Sequence, residues 1–210
     1  MGRRFRGALA AAMLAALPAG PVLATLAPRP AQATPRWPED LRAADRARLE
    51  RADEAWAQAL RQARDAGHGG DLAALGRLVQ PGAALPTPAL PPGNYRCRTI
   101  KLGTPGDLLP FVQYGWFRCR VEQADGVLRF VKVTGSQRAT GRLIEHEPRR
   151  WLFLGSLAWG EEKGWAAYGA RPDRDVVAWV ERVDRARWRL VEPFPQYESL
   201  LDIMELVPAR

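Results

Sequence analysis

Two near-identical tetrapeptides, Tyr95-Arg96-Cys97-Arg98 and Phe117-Arg118-Cys119-Arg120, hold both cysteines of this 210-residue chain, and they constrain its fold more than any other feature. If each lies on a strand, period-two alternation sends the sulfurs to one face and Arg96, Arg98, Arg118 and Arg120 to the other. Joining the sulfurs aligns two neighbouring strands, and closing so short a loop contributes on the order of 3 kcal/mol. Four guanidinium groups then crowd the opposite face, where like charges destabilise. Two things would neutralise them: carboxylates from Glu122, Asp107 or an acidic first helix, or a bound anion that arginine grips bidentately. The second makes the cluster a ligand site.

Whether the cysteines pair depends on the compartment. Met1 to Gly7 carries three arginines, Ala8 to Leu17 is an unbroken apolar run, and Ala31-Gln32-Ala33 precedes Thr34. That order of charged, apolar and small-residue regions is a secretory leader cleaved after Ala33. Ten apolar residues are too few to span a bilayer, and Pro18, Gly20 and Pro21 interrupt any extension. Secretion favours a Cys97–Cys119 disulfide. A zinc site needs about four ligands, which two cysteines and two scattered histidines do not supply, and a catalytic thiol wants a lone cysteine. In a Gram-negative cell the destination is the periplasm, with no membrane insertion after cleavage.

The leader also changes the charge. The full chain carries +8, from 31 Lys and Arg against 23 Asp and Glu; the leader takes Arg3, Arg4, Arg6 and Arg29 and no acid, leaving +4. Interspersed charge of that size sets solubility and is no nucleic-acid footprint. The three lysines are Lys101, Lys132 and Lys163.

From Asp40 to Ala66 apolar residues recur at three- and four-residue intervals, the pattern of an amphipathic helix ending at Gly67. Gly67-His68-Gly69-Gly70 is a turn, and Asp71 starts a second short helix that ends before Pro81-Gly82. Residues 37–80 thus form a helical hairpin, residues 81–92 an extended proline-rich connector, and residues 93–210 a β-rich part. Strands are expected at 94–102, 111–122, 127–133, 140–146, 150–159, 175–183, 186–192 and 200–207, with Asp125-Gly126 and Asp184-Arg185 as tight turns. The last segment also fits a capped helix and is read as a strand. The fold class is α+β: a helical hairpin packed on a mainly antiparallel barrel or sandwich of about eight strands, one secreted domain over 34–210. Trp151 to Leu154 is apolar on both faces, so one face enters the barrel and the other lies under the helices.

The stretches Tyr95 to Gly103, Trp116 to Arg120, Thr134 to Arg138 and Glu198 to Asp202 resemble a secreted proteobacterial family catalogued as domain of unknown function 4893. The resemblance runs from the first helix to Pro208. It implies secretion and a single full-length domain, and it brings no catalytic residues.

Other candidate chemistry is sparse. Thr134-Gly135-Ser136-Gln137-Arg138 is a loop whose small residues let a ligand approach backbone amides, or simply a hairpin turn. It lacks the G-x-S-x-G elbow. His146 stands between Glu145 and Glu147, a poor local metal site, and His68 reads as a turn residue. Asp173 and Asp175, beside Arg171 and Arg174, read as a salt-bridged loop. All eight tryptophans follow the leader and are mostly core anchors; Trp159 and Trp165 flank a loop that would line a barrel mouth or meet a partner. No cofactor and no metal is implied. The reading is a periplasmic, non-enzymatic binding or interaction module that holds an anionic or apolar small ligand, or an envelope protein, through Arg96, Arg98, Arg118, Arg120, Ser136, Gln137 and Arg138. The alternative is a secreted hydrolase using Ser136 or a carboxylate pair, which requires Ser136, His146 and an acid to meet.

Overall fold

The computed structural model describes residues 36–209, with Gly2 besides; the leader expected at 1–33 lies outside them apart from that glycine. Nine strands follow three helices: α1 (Ala43–Glu50), α2 (Ala52–Asp65), α3 (Gly69–Leu75), then β1 (Gly93–Leu102), β2 (Phe111–Gln113), β3 (Phe117–Ala124), β4 (Val127–Lys132), β5 (Gln137–Glu147), β6 (Arg150–Trp159), β7 (Asp175–Asp184), β8 (Arg187–Pro193) and β9 (Leu201–Pro208). Neighbouring strands pair antiparallel from β3 through β9, and β1 pairs with both β3 and β9, closing an eight-stranded barrel with β2 as an extra strand. Closure leaves the barrel without a free edge for another chain to extend.

Each expected strand is present, including the final one. The segment expected as one strand over 111–122 is two, because Tyr114-Gly115-Trp116 faces one residue fewer on β1: Gln113 pairs with Ile100 and Phe117 with Cys97. This is a bulge, and glycine inside a strand pattern marks such sites. Asp125 and Gly126 both take positive φ, +51° and +75°, as a two-residue hairpin turn with the favoured strand twist requires. The turn expected at Asp184-Arg185 sits one residue later, between the paired Asp184 and Arg187.

Strand alternation sorts the side chains into two cores. Inside the barrel lie Tyr95, Cys97, Cys119, Val121, Phe130, Leu143, Phe153, Val180, Trp188 and Leu206. The Phe130 and Phe153 rings meet edge to face at 5.8 Å, as do Tyr95 and Trp188 at 6.1 Å. The proline-rich connector shuts this end: Leu90 is fully buried, and the carbonyls of Ala89 and Pro91 accept from the Trp188 indole and the Tyr95 hydroxyl. Gly141 and Gly155 face each other across β5 and β6, where a Cβ on either would come within 2.3 Å of a backbone oxygen of the other strand. Only paired glycines allow that close bend.

The second core lies between the outer barrel wall and the helices. Ala55, Trp56, Ala59, Leu60 and Ala63 form the buried stripe of α2, against Ile100, Leu102, Leu152, Leu154, Val177, Val191 and Ile203. Phe153 thus points in while Leu152 and Leu154 point to the helices, the two-faced burial expected for this strand. The helix expected over 40–66 breaks at Arg51 into α1 and α2. There the Leu49 carbonyl accepts from the Trp179 indole at 3.1 Å, a tertiary partner no local pattern displays. Arg189, 1% exposed, fastens the end of the helical region: it pairs with Glu181 at 2.6 Å and donates to the carbonyls of Arg77, Leu78 and Gln80. Those carbonyls belong to the turn that follows α3, which a side chain of the barrel thereby ties down.

Candidate functional site

Cys97 and Cys119 are bonded, with Cα atoms 5.9 Å apart, and both sulfurs face the barrel interior. Arg96, Arg118 and Arg120 are exposed on the outer wall and Arg98 is half-buried there. Arg96 and Arg98 lie over the Trp116 ring at 4.8 and 4.7 Å. Arg98 donates to Glu205 at 2.6 Å, and Arg120 pairs with Glu122 at 2.8 Å. Glu122 is one of the expected neutralising acids, whereas Glu205, 107 residues from Arg98, is supplied by β9 through barrel closure. A tryptophan and two acids therefore relieve most of the crowding.

The 134–138 loop divides. Arg138 braces its surroundings by donating to the carbonyls of Gly135, Gly160 and Glu162. The Ser136 carbonyl accepts from Gly160. Gln137 lines a cavity in the open end of the barrel. Ser136 and His146 stand ten residues apart at opposite ends of β5, roughly 30 Å along an extended chain, so they form no triad. His146 lies against Trp37 and Trp179 at 4.5 and 5.5 Å, and burial lowers its pKa. Among the described residues no three His, Cys, Asp or Glu side chains gather to hold a metal ion. Trp159 packs edge-on to Tyr197 beneath Arg174, and Trp165 is exposed.

The open end of the barrel is the site with chemistry. The alternation that puts Cys97 inside also puts Thr99 and Lys101 inside; that which puts Phe130 inside does the same for Lys132, and on β8 and β9 it brings in Glu192 and Asp202. Phe153, Leu157, Leu190 and Met204 form apolar walls, and the 195–197 turn roofs one side. The cavity is about 60 Å³, room for a few waters or one small molecule and far below the roughly 300 Å³ of a drug-sized pocket. No apolar chain fits it.

Its four charged groups are not equivalent. Lys101 bonds Asp202 at 2.8 Å and Glu198 at 3.3 Å. Burial works against its charge, and the two carboxylates outweigh burial, so its pKa ends above the ordinary lysine value. Glu198 reaches it from a left-handed backbone, φ +73°, a conformation a non-glycine residue keeps where the surroundings impose it. Asp202 also accepts from Ser199. Glu192 and Asp202 are cross-strand partners; burial, reinforced by Asp202, raises the Glu192 carboxyl well above the usual carboxylate range. Lys132 differs again. It is 6% exposed and, among the described residues, its ammonium makes no hydrogen bond and no ion pair, lying 4.3 Å from the Phe117 ring centroid. Burial, aided by the Lys101 charge, lowers its pKa to about 8.

Neither lysine stands among the residues singled out from sequence. A signal was available: in a chain whose basic residues are almost all arginine, two of three lysines fall on strands in phase with buried side chains. The phase shows that they point inward. It does not show that β1, β4, β8 and β9 bring their ends to one mouth.

A family model described as Domain of unknown function (DUF4893) matches residues 37–206, and the chain belongs to that family. No curated protein and no solved structure matches the chain.

Proposed function

For this member of a family without an assigned activity, we propose a secreted, periplasmic binding module, not an enzyme, whose barrel mouth holds one small anion such as a carboxylate or phosphate. The observation that carries this reading is Lys132. A lysine withdrawn from water without a carboxylate to pair with is costly to keep charged, and the barrel leaves its ammonium at the wall of a small cavity with, among the described residues, only the Phe117 ring against it. An anion there would pair with Lys132, accept from Gln137 and meet the Glu192 carboxyl, which burial and Asp202 make harder to ionise against the pull of Arg48 at 3.9 Å. The leader pattern and the disulfide support the oxidising compartment. The outer arginines are excluded from the mouth by the same alternation that admits the lysines.

Calorimetric titration with glycolate and with inorganic phosphate tests the reading. The expected result is one site, weakened at least tenfold by Lys132→Met, about 1.4 kcal/mol, and unchanged by Arg96→Ala with Arg118→Ala. Loss of binding in the arginine variant with retention in Lys132→Met would move the site to the outer wall.

A further inference from the structure

We propose that the Lys132 amine is a covalent capture site, condensing reversibly with a small aldehyde or ketone admitted to the barrel mouth to form an imine. Three features of the molecule meet there. The Lys132 side chain is more than nine-tenths buried and its amine, which borders the cavity, has among the described residues no carboxylate or carbonyl to hold it as an ammonium, whereas Lys101 is held by two carboxylates and Lys163 stands exposed on a loop. Burial disfavours its charge, as do the Lys101 ammonium and Arg138, against Asp202 and the Phe117 ring, which favour it. Amines are made nucleophilic near neutral pH by such a setting, apolar walls plus a neighbouring cation. Finally, the Glu192 and Asp202 carboxyls line the same cavity and hold their protons more tightly than exposed acids do.

The chemistry closes without a further reactant. The nitrogen lone pair of the neutral amine adds to the carbonyl carbon, the C=O electron pair moves to oxygen, and one nitrogen proton passes to that oxygen, giving a carbinolamine. A carboxyl of the Glu192 and Asp202 pair protonates the hydroxyl, which leaves as water as the C=N bond forms. The remaining nitrogen proton returns to the carboxylate. Amine and carbonyl become imine and water, with no change of oxidation state. Phe153, Leu190 and Met204 limit the water that would reverse the step.

This inference rests on the mouth being a ligand site, and glyoxylate, an aldehyde bearing a carboxylate, probes both. The full secreted chain is incubated at pH 7 with glyoxylate and cyanoborohydride, which traps the imine as a carboxymethyl amine, and the adducts are mapped by peptide mass spectrometry. A lysine of pKa 8 is about a tenth neutral at that pH, and an ordinary one well under a thousandth. Lys132 is therefore expected to label at least tenfold faster than Lys163, and glycolate, which has no carbonyl, to slow it. Labelling of Lys163 as fast as Lys132 overturns the proposal. Glycolate binding without labelling at Lys132 overturns capture and leaves the anion reading standing. Labelling at Lys132 that glycolate does not slow supports capture and removes the anion reading.

Discussion

The two ends of the barrel interior are built from the same strands and do opposite things. Towards the closed end the inward side chains are largely apolar, Tyr95, Phe130 and Trp188 sealed by Leu90, and the Cys97–Cys119 bond marks the boundary, with Cys119 paired to Lys132 across β3 and β4. At the open end the same alternation brings in Lys101, Lys132, Glu192 and Asp202. One end gains stability from burial; the other gives it up by taking charge out of water. Proteins accept that cost where a binding or reacting group must be held ready, because the strained or desolvated group is the function. The difference between the ends, more than any single residue, locates the site.

The contrast can be broken first at the closed end. Phe130 is fully buried against Phe153 in a wall that closure prevents from collapsing inward, so Phe130→Ala should lose about 3–5 kcal/mol in urea unfolding. A loss below 1 kcal/mol would mean that the closed end is not the stabilising one. At the open end the sign reverses. Lys132 titrates at about 8 in the fold against 10.5 unfolded, so between those values the unfolded chain binds more protons and stability rises with pH. The lysine's penalty is full below pH 8 and gone above 10.5. Lys132→Met should therefore stabilise the protein at pH 7 by roughly 1–3 kcal/mol, the gain shrinking as pH climbs. Equal or lower stability in that variant at pH 7 would show that Lys132 is paired in solution.

The fold was legible because its signals are local. Alternation marks each strand, Asp125-Gly126 marks its hairpin, and the two-faced Trp151 to Leu154 segment announces that something covers the barrel wall. What escaped is tertiary. The break at Arg51 follows from the Trp179 indole taking the Leu49 carbonyl, 130 residues away in sequence. The acid that answers Arg98 comes from β9, which meets β1 only because the sheet closes. The mouth escaped for the same reason. Alternation gives each lysine its direction, and the level at which it enters depends on strand stagger, which no residue pattern within one strand records. The arginines drew attention because they crowd one sheet face; Trp116, Glu122 and Glu205 already answer Arg96, Arg98 and Arg120.

The central claim is that the barrel mouth holds an amine without a carboxylate partner among the described residues, and the most direct test is to titrate it. With three lysines in the chain, NMR of the ε-CH₂ groups of lysine-labelled protein resolves each one. One lysine, absent from the Lys132→Met spectrum, should titrate near 8 and move upward when glycolate is added. Three lysines all titrating at 10 or above would contradict the account.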